Sequence, residues 1–77
     1  MNDELRKHIT SILSEVLNIG ISPTDNLWRS QIANWDSLNH LELIFLLEEE
    51  FKIRFTIKEV AEIQNVDDLV KIIGVKM

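Results

Sequence analysis

Residues 35–51 read WDSLNHLELIFLLEEEF, from Trp35 to Phe51, and the reading of this stretch decides the fold. It predicts a helix that begins at Asp36 or Ser37, both favoured N-cap types, and runs to about Phe51. Its middle is unusual. Leu41, Leu43, Ile44, Phe45, Leu46 and Leu47 cover most of the helix circumference, so one face cannot bury them all. Some of them must form a surface that meets a partner or a ligand, or else the helix lies unusually deep. The stretch also holds five acids, Asp36, Glu42, Glu48, Glu49 and Glu50, with no Lys or Arg among them. It therefore carries −5, the formal net charge of the whole chain, and the remainder is close to neutral.

Outward from this helix the pattern stays helical. Toward the N-terminus, Asn2 is an expected N-cap, with Asp3 and Glu4 in a first turn whose dipole favours acids. Leu5, Ile9, Ile12, Leu13 and Val16 then form one apolar stripe, and Gly20 is the expected stop. From Gly20 to Trp35 the chain reads as a long loop, turn-rich at Ser22-Pro23-Thr24-Asp25-Asn26 and pinned to the helices by Leu27, Trp28, Ile32 and Trp35. Toward the C-terminus, Lys52 to Phe55 reads as a loop. Thr56 with Glu59 forms a capping-box signature for a short third helix through about Ile63. Asn65 caps a last helix carrying Val66, Leu69, Val70, Ile72 and Ile73, with Gly74 expected just past its end. The expectation is an all-α fold, a small four-helix bundle with a short third helix and a long loop between helices 1 and 2, formed by residues 1–77 as one domain.

Composition narrows the function classes. A chain of 77 residues buries only about 60% of the surface its unfolded form exposes, so its stability should be modest. It has no cysteine, which removes disulfides and thiolate metal sites, and its few potential ligands are too scattered for a structural metal. The longest apolar run, Leu43 to Leu47, is far short of the roughly 20 residues that span a bilayer, and no signal-peptide pattern is present. A soluble, cytoplasmic monomer is expected. The concentrated acidity repels nucleic-acid phosphates and anionic lipid and attracts proteins with basic faces, so neither nucleic-acid binding nor membrane insertion is expected.

The stretch from Trp35 to Phe51 resembles the signature of the acyl carrier protein family, in which an Asp-Ser-Leu triplet opens the second helix. Here the triplet is Asp36-Ser37-Leu38, followed by Glu42 in mid-helix and Glu48-Glu49-Glu50 before Phe51. The likeness covers nearly the whole chain through the short third and apolar fourth helices. It implies a non-enzymatic carrier in which 4′-phosphopantetheine, donated by CoA, is attached to Ser37 between Asp36 and Leu38. It implies a phosphopantetheinyl transferase that activates the serine, with a metal ion near the CoA phosphates to which Asp36 could add a ligand. It also implies acyl-loading and acyl-using enzymes with basic docking faces as partners. Fatty-acid carriers usually have Gly-Ala before the triplet and Asp after it, where this chain has Asn34-Trp35 and Asn39. Peptidyl carriers usually have two glycines before the serine, which are also absent. The Trp-Asp-Ser-Leu form looks more like the discrete carriers of dedicated pathways.

The residues suit that chemistry. A serine at a helix start meets unpaired N–H groups and the positive end of the dipole, both favourable to a phosphodiester. On position alone, a plain N-cap role for Ser37 or Asp36 is equally supported. Acids at a helix C-terminus oppose the dipole, each by about 0.3–1 kcal/mol at low salt, so the Glu48–Glu50 run is poorly placed for stability. With Glu42, the acids Glu48 and Glu49 are expected to meet Lys or Arg on partner enzymes. Leu38, Leu41 and Phe45 follow Ser37 at helical spacing and are expected to form an exposed apolar docking strip, against the plainer reading of core packing. His40 lies three residues after Ser37, but no orienting third group or oxyanion hole accompanies it, so no catalytic residue is assigned. His8 is expected at the helix surface or core edge. Fatty-acid carriers commonly read valine, methionine, alanine, leucine where this chain has Ile44-Phe45-Leu46-Leu47, and against that resemblance the extra bulk implies a short or polar cargo.

Three other classes compete with an acyl carrier. An aminoacyl or peptidyl carrier of a dedicated pathway would share the arm and differ in cargo. An unmodified helical interaction module would explain the acidic, apolar helix and leave Ser37 without a role. A hydrolase lacks a catalytic constellation.

Overall fold

The computed structural model describes residues 3–77, and the expected Asn2 cap lies outside them. Helix α1 spans Asp3–Leu17, a 3₁₀ turn Arg29–Gln31, α2 Ser37–Phe51, α3 Ile57–Glu62 and α4 Val66–Lys76. Among the described residues there is no strand; an isolated antiparallel bridge joins Trp28 to Asn65.

Three helices supply the core. α1 contributes Ile9, Leu13 and Leu17, α2 contributes Leu43, Ile44 and Leu47, and α4 contributes Val66, Leu69, Val70 and Ile73. α1 packs against both α2 and α4. Ile63, just beyond α3, and Trp35, just before α2, complete the buried cluster. α3 itself buries no residue fully, so its hold on the molecule depends on its ends. At its start the capping box forms as expected: Thr56 Oγ1 accepts from the Glu59 N–H at 3.1 Å, and Glu59 Oε1 accepts from the Thr56 N–H at 2.9 Å. Lys76 Nζ reaches the same Glu59 carboxylate at 2.9 Å and ties the end of α4 to α3. The Lys76 hydrogen bond, then that of the Thr56 backbone, holds the Glu59 pKa below its ordinary value.

Both glycine stops fall elsewhere than the sequence suggests. α1 ends at Leu17, and the left-handed residue that terminates it is Asn18, with φ 55°. The Ile19 N–H then reaches the Ser14 carbonyl at 3.3 Å, and Ser14 Oγ donates to the Ile19 carbonyl. Asn tolerates this conformation, so Gly20 is not needed as the stop. α4 likewise runs through Gly74 to Lys76. A single glycine inside a helix costs only about 1 kcal/mol, which the packing of Leu69, Val70 and Ile73 outweighs.

The loop between α1 and α2 is tightly fastened. Arg6 on α1 donates to the Pro23 carbonyl (2.8 Å), the Asp25 carbonyl (2.9 Å) and Asp67 Oδ1 on α4 (2.5 Å). Asn26 Oδ1 accepts from the Asp67 N–H, and the Leu27 carbonyl accepts from the Val66 N–H, so the loop also caps the first turn of α4. Asn34 Nδ2 returns to the Leu17 carbonyl at 3.1 Å. Of the four expected pins, Trp35 is buried and Leu27 and Ile32 pack against the core, whereas the Trp28 side chain is exposed. The backbone on either side of Trp28 fastens the loop instead, with the Arg29 N–H donating to the Gln64 carbonyl and the Leu27 carbonyl accepting from the Val66 N–H. The short 3₁₀ turn was not foreseen, because three residues without apolar periodicity leave no pattern to read.

Candidate functional site

The head of α2 is built by Asp36 and its neighbours. Asp36 is the N-cap, and its Oδ1 accepts from the Asn39 N–H at 2.9 Å. Asn39 Nδ2 in turn donates to the Asn34 carbonyl at 2.7 Å. An aspartate at position 39 could not make that bond, so the asparagine there serves the local geometry. Ser37 therefore sits at the first helical position, not the cap, and its side chain is exposed. The Ser37 and Leu38 N–H groups have no partner among the described residues.

Beneath Ser37 lies a buried polar chain that the sequence reading missed. Trp35 Nε1–H donates to His40 Nδ1 at 2.9 Å, and His40 Nε2 lies 2.9 Å from the Val60 carbonyl on α3. Since the indole can only donate, Nδ1 is the acceptor and the ring proton is on Nε2, donated to Val60. Burial pushes the His40 pKa down, opposed by the Val60 carbonyl and reinforced by the positive charge of Arg29. Both ring nitrogens are engaged, so His40 has no free nitrogen to accept a proton from Ser37. The one sequence hint was a histidine embedded in an apolar helix; the separation of position 60 carries no signal.

α2 presents two stripes. His40, Leu43, Ile44 and Leu47 face inward and are buried. Leu38, Leu41 and Phe45 face outward with 76%, 60% and 57% of their surface exposed, joined by the partly exposed Leu46. With Glu42 and Glu49 these side chains line an open groove of about 650 Å³ that leads away from Ser37. Leu46 was not among the expected docking residues.

The acidic run is divided by the fold. Glu48 is half-buried, and its Oε2 accepts from the Phe55 N–H at 2.8 Å, which closes the turn between α2 and α3. Glu50 pairs with His8 on α1 at 3.0 Å, and the His8 ring packs on Phe51 with centroids 4.9 Å apart. Glu42 and Glu49 are exposed and have no ion pair among the described residues. The fold thus gives Glu48 a structural task besides the docking expected of it.

A second groove, of about 370 Å³, opens between α2 and α3 beside Ser37. Leu41, Ile57, Val60 and Ala61 give it apolar walls, and Arg29 is the charged residue lining it. Among the described residues no cluster of three or more His, Cys, Asp or Glu forms a metal site, and no helix is long and apolar enough to cross a membrane.

Comparison with known proteins decides what this site belongs to. Residues 7–73 match the family model described as "Phosphopantetheine attachment site". The acyl carrier protein of Cyanidium caldarium is 38% identical over 74 residues, which cover 92% of this chain and 84% of that protein. The chain belongs to the acyl carrier protein family. A solved structure assigned as an acyl carrier protein from Mycobacterium tuberculosis superposes with a TM-score of 0.82 at 26% identity, covering 91% of this chain and 95% of the other. The fold is therefore the acyl-carrier helical bundle. Acyl carrier proteins are carriers and not enzymes, and this one works with 4′-phosphopantetheine and interacts with the enzymes it serves. The matches do not favour an unmodified interaction module. The head of α2 fits the group: it offers an exposed hydroxyl, two unpartnered N–H groups and a neighbouring cation.

Proposed function

We propose that Ser37 is the attachment residue of this acyl carrier protein, and that the outward stripe of α2 is where its enzymes dock. The exposure of Ser37 at the first position of a 15-residue helix, with unpartnered N–H groups beside it, carries the reading. In the attachment step Oγ of Ser37 bonds to the pantetheine-side phosphorus of CoA, the pyrophosphate P–O bond breaks, and adenosine 3′,5′-bisphosphate leaves. The hydroxyl proton passes to a base on the phosphopantetheinyl transferase, since His40 has no nitrogen free. The thiol at the end of the arm supplies the thioester bond to the cargo. The tether then presents the cargo to successive enzymes at a local concentration of roughly millimolar order.

Leu38, Leu41, Phe45 and Leu46 supply the apolar contact, and Glu42 and Glu49 the charges that meet basic residues of loading and acyl-using enzymes. Glu48 adds to that field from its half-buried position. Screening over about 8 Å at physiological ionic strength makes these contacts salt-sensitive and readily released. Phe45 and Leu46 face outward, so of the bulky run only Ile44 and Leu47 fill the interior; on that narrower ground the reading is a short or polar cargo in a dedicated pathway, handled by a cytoplasmic monomer. A chain-length series of acyl thioesters checks the cargo: the thermal midpoint should stay flat as the chain lengthens, whereas a steady rise would show a sheltered long chain.

Incubation with CoA, magnesium and a broad-specificity transferase, followed by intact mass, tests the attachment. One phosphopantetheine should be gained by the native chain and none by Ser37→Ala. No gain in a folded sample, beside a control carrier modified in the same tube, would overturn the assignment.

A further inference from the structure

The charge balance at the head of α2 is unfavourable once an arm is attached. The Asp36 carboxylate caps the helix at the residue next to Ser37, so a phosphodiester on Oγ would add a second negative charge beside the first. The helix dipole offsets only part of this, as roughly half an elementary charge at the N-terminus. A nearby cation would complete the balance, and one is built in.

Arg29 lines the groove that also contains Ser37. It belongs to the 3₁₀ turn, and its Nε donates to the Trp35 carbonyl at 3.3 Å, which fixes the guanidinium beside the start of α2. The Arg29 N–H is itself held by the Gln64 carbonyl at 2.7 Å, so the turn that presents the side chain is anchored to the segment before α4. No carboxylate pairs with Arg29 among the described residues, although the chain has 13 acids against 8 Lys and Arg. Of the eight Lys and Arg, Arg6 and Lys76 pair with acids among the described residues, and Arg29 is the one that lines the groove holding Ser37. Arg29 has spent one donor on a backbone carbonyl and keeps its planar fork, which matches phosphate oxygens in two-point contacts.

We propose that Arg29 is a positioning residue for the prosthetic group: its guanidinium pairs with the phosphodiester on Ser37 and turns the first part of the arm toward the groove between α2 and α3. The proposal rests on Ser37 as the attachment residue. The apolar walls at Leu41, Ile57 and Ala61 would then receive the dimethyl carbon one methylene beyond the phosphate ester, leaving the rest of the arm free to reach partner enzymes.

The test uses the modified protein, with Ser37 modification first verified by intact mass in wild type, Arg29→Gln and Arg29→Lys. Glutamine keeps a donor for the Trp35 carbonyl and removes the charge; lysine keeps the charge and loses the fork. Two signals are followed: the Arg29 side-chain Nε–H resonance before and after modification, and the ³¹P resonance of the phosphodiester. The Nε–H signal should move on modification of the wild type. The ³¹P signal should differ between wild type and Arg29→Gln, with Arg29→Lys between them. The difference should shrink with salt, as the screening length falls from about 30 Å at 0.01 M to about 3 Å at 1 M. An unmoved Nε–H signal with identical ³¹P signals in all three proteins would overturn the role of Arg29 and leave Ser37 standing. Absence of a mass gain on Ser37 would overturn both.

Discussion

The two stripes of α2 both carry large apolar side chains and meet opposite fates. Inward lie His40, Leu43, Ile44 and Leu47; outward lie Leu38, Leu41, Glu42, Phe45 and Glu49. Each stripe follows helical spacing, and each has enough apolar area to drive packing. The inner one is covered by α1, shares one buried core with the residues of α4, and is linked to α3 through His40 and Val60. The outer one is covered by nothing among the described residues, and it begins at Ser37. The presence of large apolar side chains therefore does not by itself set burial in this helix. What sets it is which stripe the neighbouring helices reach, and the uncovered stripe is the one left for partners.

The comparison can be broken most decisively at its shared starting point. Ser37→Ala should abolish phosphopantetheine attachment completely, as read by intact mass, while urea unfolding shifts by no more than about 0.5 kcal/mol, the usual range for an exposed position. Next in size is the exchange of one leucine for alanine on the inner face. Leu47→Ala should cost about 2–5 kcal/mol in urea unfolding, a large part of the stability of a chain this small. Phe45→Ala on the outer face should cost under about 1 kcal/mol and instead slow transfer from a loading enzyme. If Phe45→Ala unfolded the protein and left transfer intact, the division between the stripes would be wrong.

The inner stripe should also be the pH-sensitive one. His40 has its pKa lowered by burial, so the folded protein resists a proton that the unfolded chain accepts near pH 6.5. The contribution is fully present above that pH. It is lost as pH falls from there toward the lowered folded value, because protons then favour the unfolded chain. Protonated Nδ1 would also face the Trp35 N–H donor to donor. Chemical denaturation of the native chain and His40→Asn between pH 5 and 8 checks this: the native curve should fall through the window more steeply than the variant's. Parallel curves would show that His40 does not titrate with unfolding.

Smaller effects sharpen the division within the acidic run. Glu48→Gln should lower stability by roughly 1 kcal/mol, because the Phe55 N–H loses a charged acceptor. Glu49→Gln should leave stability within about 0.5 kcal/mol and weaken binding to a basic enzyme face, most visibly at low salt. Equal effects of the two on both readouts would remove the distinction drawn here. Smallest of all, Gly74→Ala lies away from both stripes and should add about 0.5–1 kcal/mol, since alanine suits a helix interior better. A Cβ there would meet Leu5 Cδ2 at 3.7 Å, an ordinary contact.

Local signals along the chain determined much of this protein. The Thr56–Glu59 capping box, the Asn65 cap and the start of α2 at the Asp36-Ser37 step are contacts between residues three apart, and such contacts are written in order along a sequence. The helix count follows from the same short-range periodicity, and the Asp-Ser-Leu triplet before an acidic helix marked the head of the site. Tertiary structure alone decided the rest. It chose which stripe of α2 faces outward, because that choice depends on where α1 and the core it shares with α4 lie. It engaged Glu48 with Phe55 and Glu50 with His8 while leaving Glu49 open, although the three glutamates are indistinguishable as letters. It joined Trp35, His40 and Val60 and brought Arg29 to the groove beside Ser37. It also carried α4 through Gly74, where the packing of Leu69, Val70 and Ile73 outweighs a propensity difference of about 1 kcal/mol. The contacts of His40 with Val60, of Glu50 with His8 and of Arg29 with Gln64 join residues far apart in the chain, and a pattern of nearest neighbours cannot encode them.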